Sequence, residues 1–174
     1  MSFPVPVPDK SDPRWTNRGG IHVRRGEGIS RWVVGDTYTI KATAADTNGS
    51  LGFAEALVPP GVGPVAHAHG SEDEAFYVLS GEFEFLNGDE TFVAGPGDFV
   101  FIPRGNRHRF RNIGQEPAKM LFLFTPGGHE GTFIEIGDEP RQGEQAPEWG
   151  PEQYAKALDS LIRYNVTLLP EDAQ

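Results

Sequence analysis

Between Ile21 and Phe124 no apolar run is long enough for an ordinary helix before a turn signal interrupts it. Arg31–Val34 and Tyr38–Ala42 flank Gly35-Asp36, and Leu51–Val58 stops at Pro59-Pro60-Gly61. Ala75–Leu79 and Glu82–Leu86 are split by Ser80-Gly81, and Asn87-Gly88 precedes Glu90–Ala94. Phe99–Ile102 is framed by Gly95-Pro96-Gly97 and Pro103; Arg107–Ile113 and Lys119–Phe124 close the series. Short runs at regular spacing, separated by residues that favour tight turns, predict an all-β sandwich or barrel. The 22 Gly and 15 Pro point the same way, and 12 Phe supply much of one core.

The two ends differ from this middle. Pro4, Pro6, Pro8 and Pro13 forbid a regular helix in residues 1–20, which read as an extended arm. That segment lacks the apolar stretch of a signal peptide, and no apolar run approaches the roughly 20 residues that span a bilayer. A cytoplasmic protein with no membrane contact is therefore expected. Residues 21–136 form the barrel, with Thr132–Ile136 as a last strand or a short helix. Residues 137–174 read as a polar linker and a helical tail. The helix covers Pro151–Tyr164: Pro151 suits a first turn, and Tyr154, Ala157, Leu158, Leu161 and Ile162 recur at helical spacing. It is expected against the outside of the barrel.

The formal net charge of −10 counts against nucleic acid as a partner. Arg104, Arg107, Arg109 and Arg111 form the one basic cluster and read as outward charges on a rim strand, with a phosphate or carboxylate contact as the alternative. The absence of cysteine excludes disulfides and thiolate chemistry.

Chemistry concentrates in two histidine clusters. His67 and His69 are two apart, which on a strand puts both imidazoles on one face, and Glu74 follows after a short turn. His108 follows a second Pro/Gly turn. Three imidazoles and a carboxylate suit one divalent transition metal: Fe, Ni, Co, Mn, Cu or Zn. Four such ligands leave open coordination positions for water or substrate, a catalytic layout rather than a structural one. Glu72 and Asp73 read as exposed turn acids, Asn112 as support for the second turn, and His22 and His129 as surface residues. Counting by twos from Glu74 and His108 points Phe76 and Phe110 inward. Phe53 and Phe101 join them if no bulge shifts the phase. The four rings either line a pocket for an aromatic or polyketide-like substrate or simply fill a small barrel.

The motifs resemble the cupin superfamily. Gly61, His67, His69, Glu74 and Gly81 meet its first motif in full, and Gly97, Pro103, Gly105, His108 and Asn112 meet its second. The 15 residues between Gly81 and Gly97 are the short spacing of small bacterial single-domain members. The resemblance implies a double-stranded β-helix, or jelly-roll barrel, with His67, His69, Glu74 and His108 as metal ligands. Val58–Gly61, Phe76–Leu79, Phe101–Gly105, Thr125–Gly128 and Arg163–Pro170 are also similar to the quercetin 2,3-dioxygenase-like monocupins. That likeness implies a dioxygenase taking an enolic or phenolic small molecule and O₂. Glu74 would serve as ligand, or as a general base whose pKa an apolar wall raises. A non-redox isomerase or polyketide cyclase with the same ligands is the second expectation, and a non-catalytic binding protein the third. By the same resemblance a homodimer formed through the arm is expected.

Overall fold

The computed structural model describes Ser11 and residues 20–171. The arm expected over residues 1–20 lies, Ser11 and Gly20 apart, outside the described residues. Ten strands follow in order: β1 (Ile29–Val33), β2 (Asp36–Ala42), β3 (Gly52–Val58), β4 (His67–His69), β5 (Asp73–Ser80), β6 (Phe83–Asn87), β7 (Glu90–Ala94), β8 (Phe99–Ile102), β9 (His108–Asn112) and β10 (Ala118–Thr125). Then come α1 (Glu130–Ile136), α2 (Pro151–Arg163) and a last strand, β11 (Val166–Leu168). The strands form two antiparallel sheets. One has the order β1-β2-β3-β10-β5-β8 and the other β11-β4-β9-β6-β7.

One buried cluster joins the two sheets, with Phe76, Phe122 and Met120 from the first and Phe83, Phe85 and Phe110 from the second. Phe76 meets Phe122 and Phe85 edge-on at 5.0 and 5.1 Å between centroids, the arrangement that the ring quadrupoles favour. Burying each such ring is worth about 2–3 kcal/mol. This is the jelly roll implied by the motifs.

Cross-strand pairing fixes which side chains enter the barrel, because residues opposite one another share a face. Glu74 pairs with Phe124 on one side and Ile102 on the other, and Phe124 pairs with Gly52. Phe101 and Phe53 are each one residue out of that phase. Phe101 pairs with Ala75, Phe53 pairs with Leu123, and both rings face away from the barrel interior, Phe101 being 49% exposed. The inward placement expected for these two rings is thus corrected. A register shift between Ile40 and Ala42, opposite Phe53, adds the kind of irregularity that defeats counting from a distant anchor.

The first hairpin turns one residue earlier than expected. Val34 and Gly35, at φ 52° and 87°, are its two central residues, and Asp36 begins β2 as a buried residue. A β-branched residue at positive φ is strained, and sequence reasoning passes over it as a turn position. At Gly81 the demand is clearer: φ is +82° and a Cβ would overlap the Ala118 side chain.

The tail also departs from expectation. α1 is a helix, and α2 starts at Pro151 as read from the sequence. However, β11 pairs with β4, so the tail adds an edge strand to the second sheet. Arg107 donates to the Leu169 carbonyl at 2.9 Å, and Arg109 pairs with Glu171 at 2.6 Å and Glu84 at 2.9 Å. Arg109 does point outward from β9, as the alternation predicts, but the tail buries it.

Candidate metal centre

β4 and β9 are neighbours, and His67 pairs directly with His108. His69 lies two residues along the same face of β4, and Glu74 enters from β5 on the facing sheet. One donor atom from each of His67, His69, Glu74 and His108 lies within 4.8 Å of the others. Ligands held about 2 Å from a common ion span about 4 Å, so the spacing fits a single metal. Three of the four residues are buried, and His67 is half-buried at the cavity side.

The hydrogen bonds fit the same reading. His67 Nδ1 lies 2.8 Å from the Val65 carbonyl and His108 Nδ1 lies 3.0 Å from the Asn106 carbonyl. Each ring therefore carries a proton on Nδ1 and turns its Nε2 towards the centre, the orientation that a metal-binding imidazole needs. His69 Nε2 lies 3.1 Å from Glu74 Oε2 and His108 Nε2 lies 2.8 Å from the same oxygen. Neither ring nitrogen of His69 makes a well-aligned hydrogen bond, although a carboxylate oxygen stands near each. Nδ1 has Glu72 behind it, and the buried Nε2 left on the centre's side is what a site shaped for another ligand leaves. The residues fit the metal that the motifs imply.

Electrostatics separate the four groups. Burial pushes the Glu74 carboxyl up, but the His69 charge and the His108 hydrogen bond outweigh it and hold the group well below the usual carboxylate range. The raised pKa expected for Glu74 is therefore corrected: the apolar wall is present, but the imidazoles face the carboxylate more closely. Burial, then His108 and His69, push His67 well below the usual imidazole range, leaving it neutral. His69 goes the other way: burial lowers it, but Glu74 and Glu72 carry it up to about 9.

Two further residues stand behind His69. Glu72 Oε1 lies 2.9 Å from His69 Nδ1 and 3.1 Å from His129 Nδ1, and all three residues are buried. The exposed positions expected for Glu72 and His129 are thus corrected. Glu72 is two residues before Glu74, a spacing that puts both carboxylates on one side if the strand phase is carried one residue ahead of β5. His129 follows the Gly127-Gly128 hinge, the signal in the sequence that places it near the barrel mouth. A carboxylate behind a ligating histidine orients the ring and raises its basicity. Asn112 has the structural role read from the sequence. Its amide donates to the Val58 and Glu116 carbonyls and accepts from Gly114 N–H, all at 2.9 Å. His22 is exposed, also as read from the sequence.

The metal-site residues line one cavity. Phe76, Phe110 and Phe122 form its barrel wall, and Trp149, Leu161 and Val166 of the tail close over it. The tail residues are therefore part of the pocket, which a helix merely applied to the outside would not supply. No helix of the described residues is long and apolar enough to cross a membrane.

Comparison with known proteins agrees with this geometry. Residues 54–124 match the Cupin domain family. The polyketide synthase protein CurC of Streptomyces cyaneus is 34% identical over 116 residues, 66% of this chain and 70% of that one. Quercetin 2,3-dioxygenase of Bacillus subtilis is 31% identical over 87 residues, which span 49% of this chain and 26% of that protein. The crystal structure of a predicted oxalate decarboxylase from Thermotoga maritima superposes with a TM-score of 0.57 at 24% identity, over 61% of this chain and 99% of that one. Its likeness extends to the fold. With both motifs complete and their histidine and glutamate side chains brought together inside the barrel, this chain belongs to the cupin superfamily.

Proposed function

We propose that the chain is a metal-dependent enzyme acting on an enolic or phenolic, polyketide-like molecule, without consuming O₂, as an isomerase or cyclase would. The observation that carries this is the convergence of His67, His69, Glu74 and His108 in a cavity that Phe76, Phe110 and Phe122 also line. A bound divalent metal would supply Lewis acidity towards a substrate oxygen. The three histidines and Glu74 hold that metal, and Glu72 keeps His69 in place behind it. The Phe rings stack on an aromatic substrate and exclude water, which strengthens every polar contact inside. Glu74 stays ionised and serves first as ligand; it accepts a substrate hydroxyl proton only by releasing its histidine partners. The relative CurC, matched over most of its length, supports the polyketide-like substrate class.

Dioxygenase chemistry is the second reading, and the likeness to quercetin 2,3-dioxygenase supports it. Elemental analysis of the purified protein beside its His69→Ala variant tests the shared premise: about one equivalent of a divalent metal, lost in the variant, is expected. Oxygen uptake during turnover of enolic aromatics then separates the readings. Turnover without uptake supports the isomerase or cyclase, and stoichiometric uptake the dioxygenase. Bound metal with no turnover of any enol, phenol or carbonyl compound would overturn both and leave a binding protein.

A further inference from the structure

The cavity holds a second group of buried polar atoms that the metal site does not use. Asp36 opens β2 on its inward face and is 1% exposed. Its Oδ2 accepts a hydrogen bond from the Tyr38 hydroxyl at 3.1 Å, while its Oδ1 has no hydrogen-bond partner. Thr132, on α1, is also 1% exposed, and its Oγ1 has no partner either. Both side chains line the same cavity as the four metal-site residues. Asp36 belongs to neither group of residues whose donor atoms could share an ion, so it is not a further ligand of that centre. Buried polar atoms without partners cost stability, and natural proteins carry few of them. Two lining one cavity, from separate elements, call for an occupant that satisfies both.

We infer that Asp36 and Thr132 form a second polar subsite, which binds a neutral carbonyl or phenolic oxygen of the organic molecule away from its metal-binding end. The inference rests on the reading of this cavity as a pocket for such a molecule. Burial pushes the Asp36 carboxyl up to about 8 against the pull of the Tyr38 hydrogen bond, so near neutral pH it carries a proton. With Oδ2 occupied by Tyr38, that proton makes Oδ1 a donor. A neutral acid donates to a carbonyl or phenol oxygen and offers nothing special to an ammonium group, which sets the ligand class. The Thr132 hydroxyl donates or accepts and completes the pair. Tyr38 stacks on Phe133 at 4.1 Å between centroids, next in sequence to Thr132, which ties β2 to α1 in this wall. Asp36 and Thr132 thus act as specificity residues rather than as part of the metal chemistry.

The test is equilibrium binding by calorimetry with two probes sharing one enolic head. Quercetin carries further phenolic oxygens; 3-hydroxyflavone keeps the 3-hydroxy-4-ketone and lacks them. The full chain, metal-loaded and metal-stripped, is compared with Asp36→Leu, Asp36→Asn and Thr132→Val. The wild type should favour quercetin by about tenfold. Asp36→Leu and Thr132→Val should each remove most of that preference by weakening quercetin alone, and Asp36→Asn, which keeps a donor, should retain it. Equal weakening of both probes, an unchanged preference in Asp36→Leu, or no binding of either probe to the wild type would overturn the inference. Metal removal weakens both probes if the metal reading holds. If it leaves both unchanged, that reading fails while the effect of the substitutions still decides this one.

Discussion

Asp36→Asn should stabilise the protein, and increasingly so as pH rises. In the fold the carboxyl titrates at about 8, against 3.8 when unperturbed, because burial opposes its ionisation. The folded pKa is the higher one, so the group's stability contribution is fully present below 3.8 and is lost as pH rises towards about 8. Between those values the unfolded chain ionises Asp36 and the folded chain does not. That lowers stability by about 1.4 kcal/mol per pH unit, and by roughly 3 kcal/mol between about pH 5 and pH 7.5. Asn has the shape of the neutral acid and no charge to lose, so the variant escapes this loss. Urea unfolding of both proteins, kept metal-free with chelator, measures the difference at several pH values. Beside the four metal-site residues, the titratable groups facing the same cavity are Tyr38, His129 and Tyr154. They are present in both proteins, so their own titration largely cancels in the difference. A stability difference that stays flat from about pH 5 to pH 7.5 would mean that Asp36 is ionised in the fold, and would refute the reasoning.

Three further outcomes are expected. His108→Ala should abolish stoichiometric metal in elemental analysis while the circular dichroism of the barrel persists, since β9 keeps its ladder with β6. Glu72→Gln should bind the metal about 10–100-fold more weakly in a competitive chelator titration, because His69 loses the carboxylate 2.9 Å behind it; unchanged affinity would show that the contact is incidental. Gly81→Ala should destabilise the fold by about 2–4 kcal/mol in urea unfolding, through the positive φ and the overlap with Ala118 together.

The parts of this fold that are legible in the sequence are those governed by local rules. Turn residues and short apolar runs locate most of the strands, and the two motifs contain all four metal-site residues. Phase and tertiary cover are what local rules miss. Phe76 shares a strand with Glu74, so counting by twos works over two residues; Phe53 and Phe101 lie on other strands, where only the cross-strand register decides. β11 is hidden because Val166–Leu168 is three residues long and becomes a strand only by pairing with β4. Glu72 and His129 look like ordinary surface polar residues, but both are buried and meet each other, with His69 against Glu72. Asp36 sits where aspartate usually marks a turn, and a valine at positive φ moves the turn one residue back.

Two carboxyl groups face one cavity, and their surroundings drive them apart. Imidazoles close to Glu74 keep it ionised despite its burial. Asp36 has one hydroxyl beside it, and burial prevails. A pair of acids separated in this way can divide the work at a single pH, one as a fixed anion and the other as a proton-bearing donor. The anion belongs with the cation site, where its charge offsets that of a divalent metal. The neutral acid belongs where the ligand is uncharged, because an ionised group on that wall would have no counter-charge. Exchanging the two roles would leave a buried anion without a partner and a metal site short of one charge. On the proposed function, such a division would orient a bound molecule with its enol oxygen towards the four metal-site residues and its neutral oxygen towards Asp36 and Thr132.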